Sequence, residues 1–233
     1  MKKVLVAFGD SWTFGSELDQ PQQDCWAPHL AQQLGAECAN LGTPASGIGH
    51  LAVQLFDFLK QDQWSEHKKI FMVGLSGRSR YLSYNNQLKE FVNITTEAVY
   101  RTRDIHRTGR PPDTVDSMLD LKYQTYALVD DERYANFVVA QTILLFQNYA
   151  KLNNADCMFF SYFDYPDLYD YSNILDLTSI YPETITKALT GMEYTIPDIR
   201  TNKYFETRLW HPNSLGHQRI AEILRAFYES THT

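Results

Sequence analysis

Two short segments at opposite ends of the chain carry residue types that can do covalent chemistry. Gly9-Asp10-Ser11 ends the apolar run Val4-Leu5-Val6-Ala7-Phe8, and His211-Pro212-Asn213 stands just ahead of a helical pattern made by Ile220, Ile223, Leu224 and Phe227. A serine hydroxyl is a weak nucleophile until a positioned base takes its proton, and a histidine held by a Pro-Asn turn suits that duty. Ester cleavage needs a nucleophile, donors for the developing oxyanion, and a proton for the leaving alcohol. Ser11 is the candidate for the first and His211 for the last. Taken singly, each motif also reads as ordinary turn and helix-capping chemistry.

These residues need elements to position them. The run 4–8 predicts a buried strand that delivers Ser11 to the carboxyl end of a sheet, the side on which open α/β sheets bind ligands. Trp26, Leu30 and Leu34 lie at helical spacing, and Gly35 closes the pattern as a C-cap. A second strand over 37–41 leads into the small-residue loop Asn40-Leu41-Gly42-Thr43-Pro44-Ala45-Ser46-Gly47, then a helix over 50–59. A third strand over 69–74, a long helix over 132–152, a strand over 156–161 and a final helix over 215–228 complete an α/β rhythm. The segment 17–24 reads as an exposed polar loop, and 168–208 as short helices and loop.

Phe8-Gly9-Asp10-Ser11 near the N-terminus, with His211-Pro212-Asn213 and Gly216-His217 near the C-terminus, resembles the SGNH (GDSL-type) hydrolases. The resemblance covers both ends of the chain and part of the middle. It implies a flavodoxin-like three-layer α/β/α sandwich around a central parallel sheet, and hydrolysis of esters or acetyl esters without metal or cofactor. It also implies Ser11 as nucleophile and His211 as base. The family's Asn-x-x-x-x-Gly spacing, counted from Asn40, lands on Ala45; the nearest glycine is Gly47, and a backbone N–H from either can face an oxyanion. After the third strand Arg78 stands where the family has an oxyanion-binding Asn. Asp10 is a further candidate on the substrate side, although a residue beside the nucleophile also bonds local backbone N–H groups.

The family places an Asp three residues before its histidine, and here that residue is Arg208. Three readings stay open: an acid from elsewhere, with Glu206, Asp164 and Asp167 as candidates; a Ser-His dyad steadied by a backbone carbonyl; or a fold that has lost hydrolysis and binds a small or glycan ligand. His217 reads as a packing or capping residue in the last helix. His50 is a residue that could approach the site, and the other histidines read as structural or solvated.

The 233 residues suffice for a single α/β domain over 1–233 with an insertion or lid at about 81–130, a polar, Tyr-rich stretch after the third strand. A net charge of −7 and the lack of any basic run argue against nucleic-acid binding. Cys25, Cys38 and Cys157 are too few and wrongly spaced for a metal or a full disulfide framework, and Cys38 and Cys157 read as buried thiols. With no signal-peptide pattern and no membrane span, the expectation is a cytoplasmic protein acting on a small or carbohydrate ester, with oligomerisation left open. Neither a Walker sequence nor G-x-G-x-x-G supports a nucleotide-binding alternative.

Overall fold

A computed structural model of the protein describes residues 1–76, 80–85, 90–95, 132–163, 166–191, 202–205 and 211–232. Its centre is a five-stranded parallel sheet. In chain order the strands are β1 (Lys3–Phe8), β2 (Glu37–Asn40), β3 (Lys68–Leu75), then β6 (Asp156–Ser161) and β7 (Ile180–Thr184), arranged β2-β1-β3-β6-β7. Between β3 and β6 lies a separate antiparallel pair, β4 (Arg80–Asn85) and β5 (Glu90–Thr95). The rest of the expected insertion, 86–89 and 96–130, lies outside the described residues.

Alternation along the strands builds two cores. Val4, Val6 and Phe8 of β1 join Phe71, Val73 and Leu75 of β3 on one face. There they meet Leu51, Leu55 and Phe58 of α4 (Ile48–Leu59) and Ile143 and Phe146 of α5 (Glu132–Leu152). Leu5, Ala7, Ile70, Met72, Met158 and Phe160 face the other way. They pack on Trp26 and Leu30 of α3 (Trp26–Leu34), Ile185 of α6 (Ile185–Thr190) and Ile220 and Leu224 of α7 (Ser214–His232). Burial on both faces explains why these strands read as continuous apolar runs, the mark of a parallel sheet covered by helices. Edge-to-face packing of Phe8 on Phe71 and Phe146, with centroids 5.4 and 4.9 Å apart, holds the first strand rigidly against its neighbours.

The segment 168–208 departs from the expected mix of short helices and loop. It contains a fifth strand, β7, whose polar sequence Ile-Tyr-Pro-Glu-Thr and irregular register against β6 hide it from a hydrophobicity count. Such edge strands take their pairing from the neighbour rather than from their own pattern. Cys38 and Cys157 are only partly exposed rather than fully buried, and Cys25 is the buried one. Burial pushes the Cys25 thiol up to about 11 and Cys38 up to about 12, so neither supplies a thiolate near neutral pH.

Candidate active site

The strand order reverses between β1 and β3, and the crevice beyond the carboxyl ends of these strands is where such sheets bind ligands. Ser11 lies there, as the first residue of the short helix α1 (Ser11–Phe14). Gly9 turns the chain out of β1 with φ 154°, where a side chain is strained, and a Cβ on it would lie 2.1 Å from Thr13 Oγ1. The Gly9 carbonyl accepts from Thr43 N–H, Ser46 Oγ and Gln54 Nε2 at 3.0, 3.0 and 2.8 Å, while Gly9 N–H donates to Gln54 Oε1 at 3.0 Å. Gln54 and Ser46 are buried, so these bonds form in a low-dielectric setting and fix the turn firmly.

A second network lies under α1. Trp26 Nε1 donates to the Tyr162 hydroxyl at 3.2 Å, and Tyr162 and Thr13 Oγ1 share a hydrogen bond of 2.6 Å. Thr13 in turn reaches the Phe8 carbonyl at 3.4 Å. Desolvation holds the fully buried Tyr162 hydroxyl well above the usual phenol range, so it remains a proton donor. Asp10 is buried and accepts from Trp12 N–H at 3.0 Å, the N-cap of α1.

The small-residue loop is tied directly to this turn. A Cβ on Gly42 would lie 2.4 Å from the Phe14 backbone nitrogen, so only glycine lets the loop approach α1 so closely. Asn40 bonds inward, donating to the Thr13 carbonyl at 2.8 Å. Ala45 has φ 62°, a left-handed conformation costing a non-glycine residue about 1 kcal/mol. This is the position where the family spacing calls for glycine. Ala45→Gly is therefore expected to raise stability by about 0.5 kcal/mol, the relieved strain exceeding the added chain entropy, without loss of activity; a lowered urea midpoint would contradict that account. Gly47, two residues on, is the extended N-cap residue of α4.

The far end of the chain returns to the same place. Asn213 caps α7, its Oδ1 accepting from Gly216 N–H at 2.9 Å, and is itself pinned by its N–H to the Tyr204 carbonyl at 3.0 Å. Pro212 pairs with Phe205, and Phe205 packs on Trp12, next to Ser11, with ring centroids 5.5 Å apart. His211 Nδ1 lies 3.0 Å from Glu17 Oε2, and both side chains are only 17% accessible. Glu17 directly follows Ser16, whose N–H donates to the Ser11 carbonyl at 2.9 Å. A carboxylate accepts, so Nδ1 is the donor in this bond. Ser11 is buried, and among the described residues its hydroxyl makes no hydrogen bond, to His211 or to any other group. Ser11 and His211 are thus linked through the Ser16-Glu17 segment and through Trp12 and Phe205, not by a direct bond.

Asp167 is exposed and accepts from Tyr169 N–H at 3.1 Å. Glu206, Asp164, Arg78 and Arg208 lie outside the described residues. His217 Nδ1 accepts from Trp26 N–H at 3.2 Å and so caps α3, whose N-cap residue offers no side-chain bond. Glu17 escaped the sequence reading because it sits in a polar stretch with no periodicity. The available signal was its position six residues after the serine, the length of one short helical turn and its return. Among the described residues no three His, Cys, Asp or Glu side chains group to hold a metal, and no helix is long and apolar enough to cross a membrane. A groove of about 520 Å³ beside Lys151, Asp156 and His232 opens at the amino end of β6, the opposite end of the sheet from Ser11.

No family profile matches the sequence, and no curated protein matches it. Solved structures do. An acetyl xylan esterase from the rumen bacterium Butyrivibrio proteoclasticus aligns with TM-score 0.50 and 13% identity over 98% of this chain, which spans 64% of that protein. A member of the lipolytic protein G-D-S-L family from Veillonella parvula aligns with TM-score 0.49 and 12% identity over 97% of this chain and 98% of its own. At such identities the likeness is one of fold: this chain has the three-layer α/β architecture, with a parallel central sheet, found in that acetyl xylan esterase.

Proposed function

We propose that the protein is a serine ester hydrolase that removes an acyl group, acetyl in the simplest case, from a carbohydrate or other small ester. The observation that carries this reading is the His211 imidazole, held through Nδ1 by a carboxylate at 3.0 Å in the loop that leaves Ser11. That bond leaves Nε2 free to act as a base. In the proposed reaction Ser11 Oγ attacks the ester carbonyl while Nε2 takes the hydroxyl proton. The tetrahedral oxyanion meets backbone N–H groups of Ser11 and of the Ala45 to Gly47 loop, with Arg78 as a further donor. Collapse expels the alcohol, which leaves with the proton from Nε2. Water, deprotonated by the same nitrogen, then releases the acid and restores Ser11. The fold shared with an acetyl xylan esterase supports the choice of acetyl and carbohydrate as first substrates to try.

The test is covalent labelling. A fluorophosphonate is expected to form one adduct, located on Ser11 by peptide mass, and at a much lower rate in His211→Gln. A protein left unlabelled at Ser11 after prolonged exposure would point instead to a ligand-binding module on the same fold.

A further inference from the structure

We propose that Glu17, on the loop after the nucleophile, is the positioning carboxylate of this centre, and that its backbone is held in a strained conformation to keep it there. The inference rests on the hydrolase reading but concerns a residue that no motif assigns. The place three residues before His211 is occupied by Arg208, so the chain has no carboxylate at that point. Glu17 Oε2 fills the need from the other end of the sequence, 3.0 Å from Nδ1, and among the described residues its carboxylate has no other partner.

Three features separate this from a chance surface pair. Both side chains are 17% accessible, although the Glu17 residue as a whole is exposed, so it is the carboxylate that is drawn inward. The loop is stapled to the nucleophile, since the Ser11 carbonyl accepts from both Gly15 N–H at 3.0 Å and Ser16 N–H at 2.9 Å. Glu17 itself has φ 73°, a left-handed conformation that glutamate rarely adopts. Such strain persists only where surrounding contacts over-determine it, and it concentrates at functional sites. Gly15, with φ 86°, relieves the same turn cheaply just two residues earlier, so the strain at 17 goes with the side chain that must be there.

In this role Glu17 fixes the ring and its tautomer and offsets the charge that His211 gains when it takes the serine proton. Three variants test it with p-nitrophenyl acetate as substrate. Glu17→Gln keeps size and polarity but accepts less strongly and can bond Nδ1 in the wrong tautomer. Its kcat is expected to fall by about 10²- to 10⁴-fold with KM changed less than a few-fold. Glu17→Asp, a shorter carboxylate, should recover part of the loss. Glu17→Gly should lose as much activity as Glu17→Gln yet melt at a higher temperature than the native protein, because glycine removes the strain. A merely structural glutamate would show the reverse, with stability falling and kcat intact.

A readout independent of turnover separates this proposal from the hydrolase reading. The Nδ1 proton bonded to a carboxylate should give a far-downfield proton NMR resonance in the native protein, lost in Glu17→Gln and in His211→Gln. If that resonance is missing from the native protein, or if Glu17→Gln retains native kcat, Glu17 does not hold the ring, whatever Ser11 does. If the resonance behaves as expected while Ser11→Ala hydrolyses as fast as the native protein, the pair stands and the hydrolase reading falls.

Discussion

Ser11→Ala is expected to lower kcat for p-nitrophenyl acetate by between about 10³- and 10⁶-fold, the range set by loss of a serine nucleophile whose surrounding donors remain. KM should change little, because the hydroxyl contributes to the reaction rather than to holding the ester. Stability should stay within about 0.5 kcal/mol of the native value. The Ser11 hydroxyl makes no hydrogen bond among the described residues, while the backbone bonds of this residue, to Gly15 N–H and Ser16 N–H, survive the change. Trp12, Thr13 and Asp10 hold α1 in place without it. A loss of activity with unchanged urea unfolding would thus isolate the chemical step. Equal rates in the two proteins would take Ser11 out of the mechanism altogether.

Acid is expected to destabilise the protein through His217. This side chain is fully buried, and desolvation, with His29 and His211 nearby, brings its imidazole down to about 3 from the ordinary 6.5. The sign follows from proton counting. Between pH 6.5 and pH 3 the unfolded chain binds a proton at His217 that the folded protein refuses. Stability therefore rises with pH across that window and is lost as pH falls through it. The loss amounts to about 3 kcal/mol by pH 4.5 and about 4 kcal/mol by pH 3, a large part of a typical folding free energy. Geometry supplies the mechanism: protonating Nδ1 removes the acceptor of Trp26 N–H and leaves the start of α3 uncapped. His217→Gln offers an amide oxygen that can accept the same bond without titrating. Urea midpoints at pH 7.5 and pH 4.5 should then differ much less in the variant than in the native protein; an equal pH dependence in both would show that His217 does not govern it.

Much of the scaffold could be read without coordinates, for reasons visible in particular residues. Val4 to Phe8 and Ile70 to Val73 are buried on both faces, so their apolar runs survive as unbroken signals. Ile220 and Leu224 on α7 recur at helical spacing because one face alone meets the sheet; on α5 the apolar spacing marked the helix but not its buried face, since Ala140 is buried while Phe137 is exposed. Gly35 marks the end of α3 because the left-handed cap, φ 62°, favours it. β7 did not announce itself, since a short, polar strand at the sheet edge is defined by what β6 offers it.

Local chemistry placed Ser11 after a strand and His211 before a helix, since a turn residue's surroundings are largely its sequence neighbours. Which carboxylate meets that histidine was a different kind of question. Glu17 and His211 are 194 positions apart, and their contact exists only because Trp12 packs on Phe205, Pro212 pairs beside it and α7 lies against α3. The same holds for Gln54 at the Gly9 carbonyl and Tyr162 beneath Thr13. Backbone preferences and hydrophobic period act over a few residues and are written along the chain. Long-range hydrogen bonds depend on how whole layers settle against each other, and the identity of each partner is decided only by that packing.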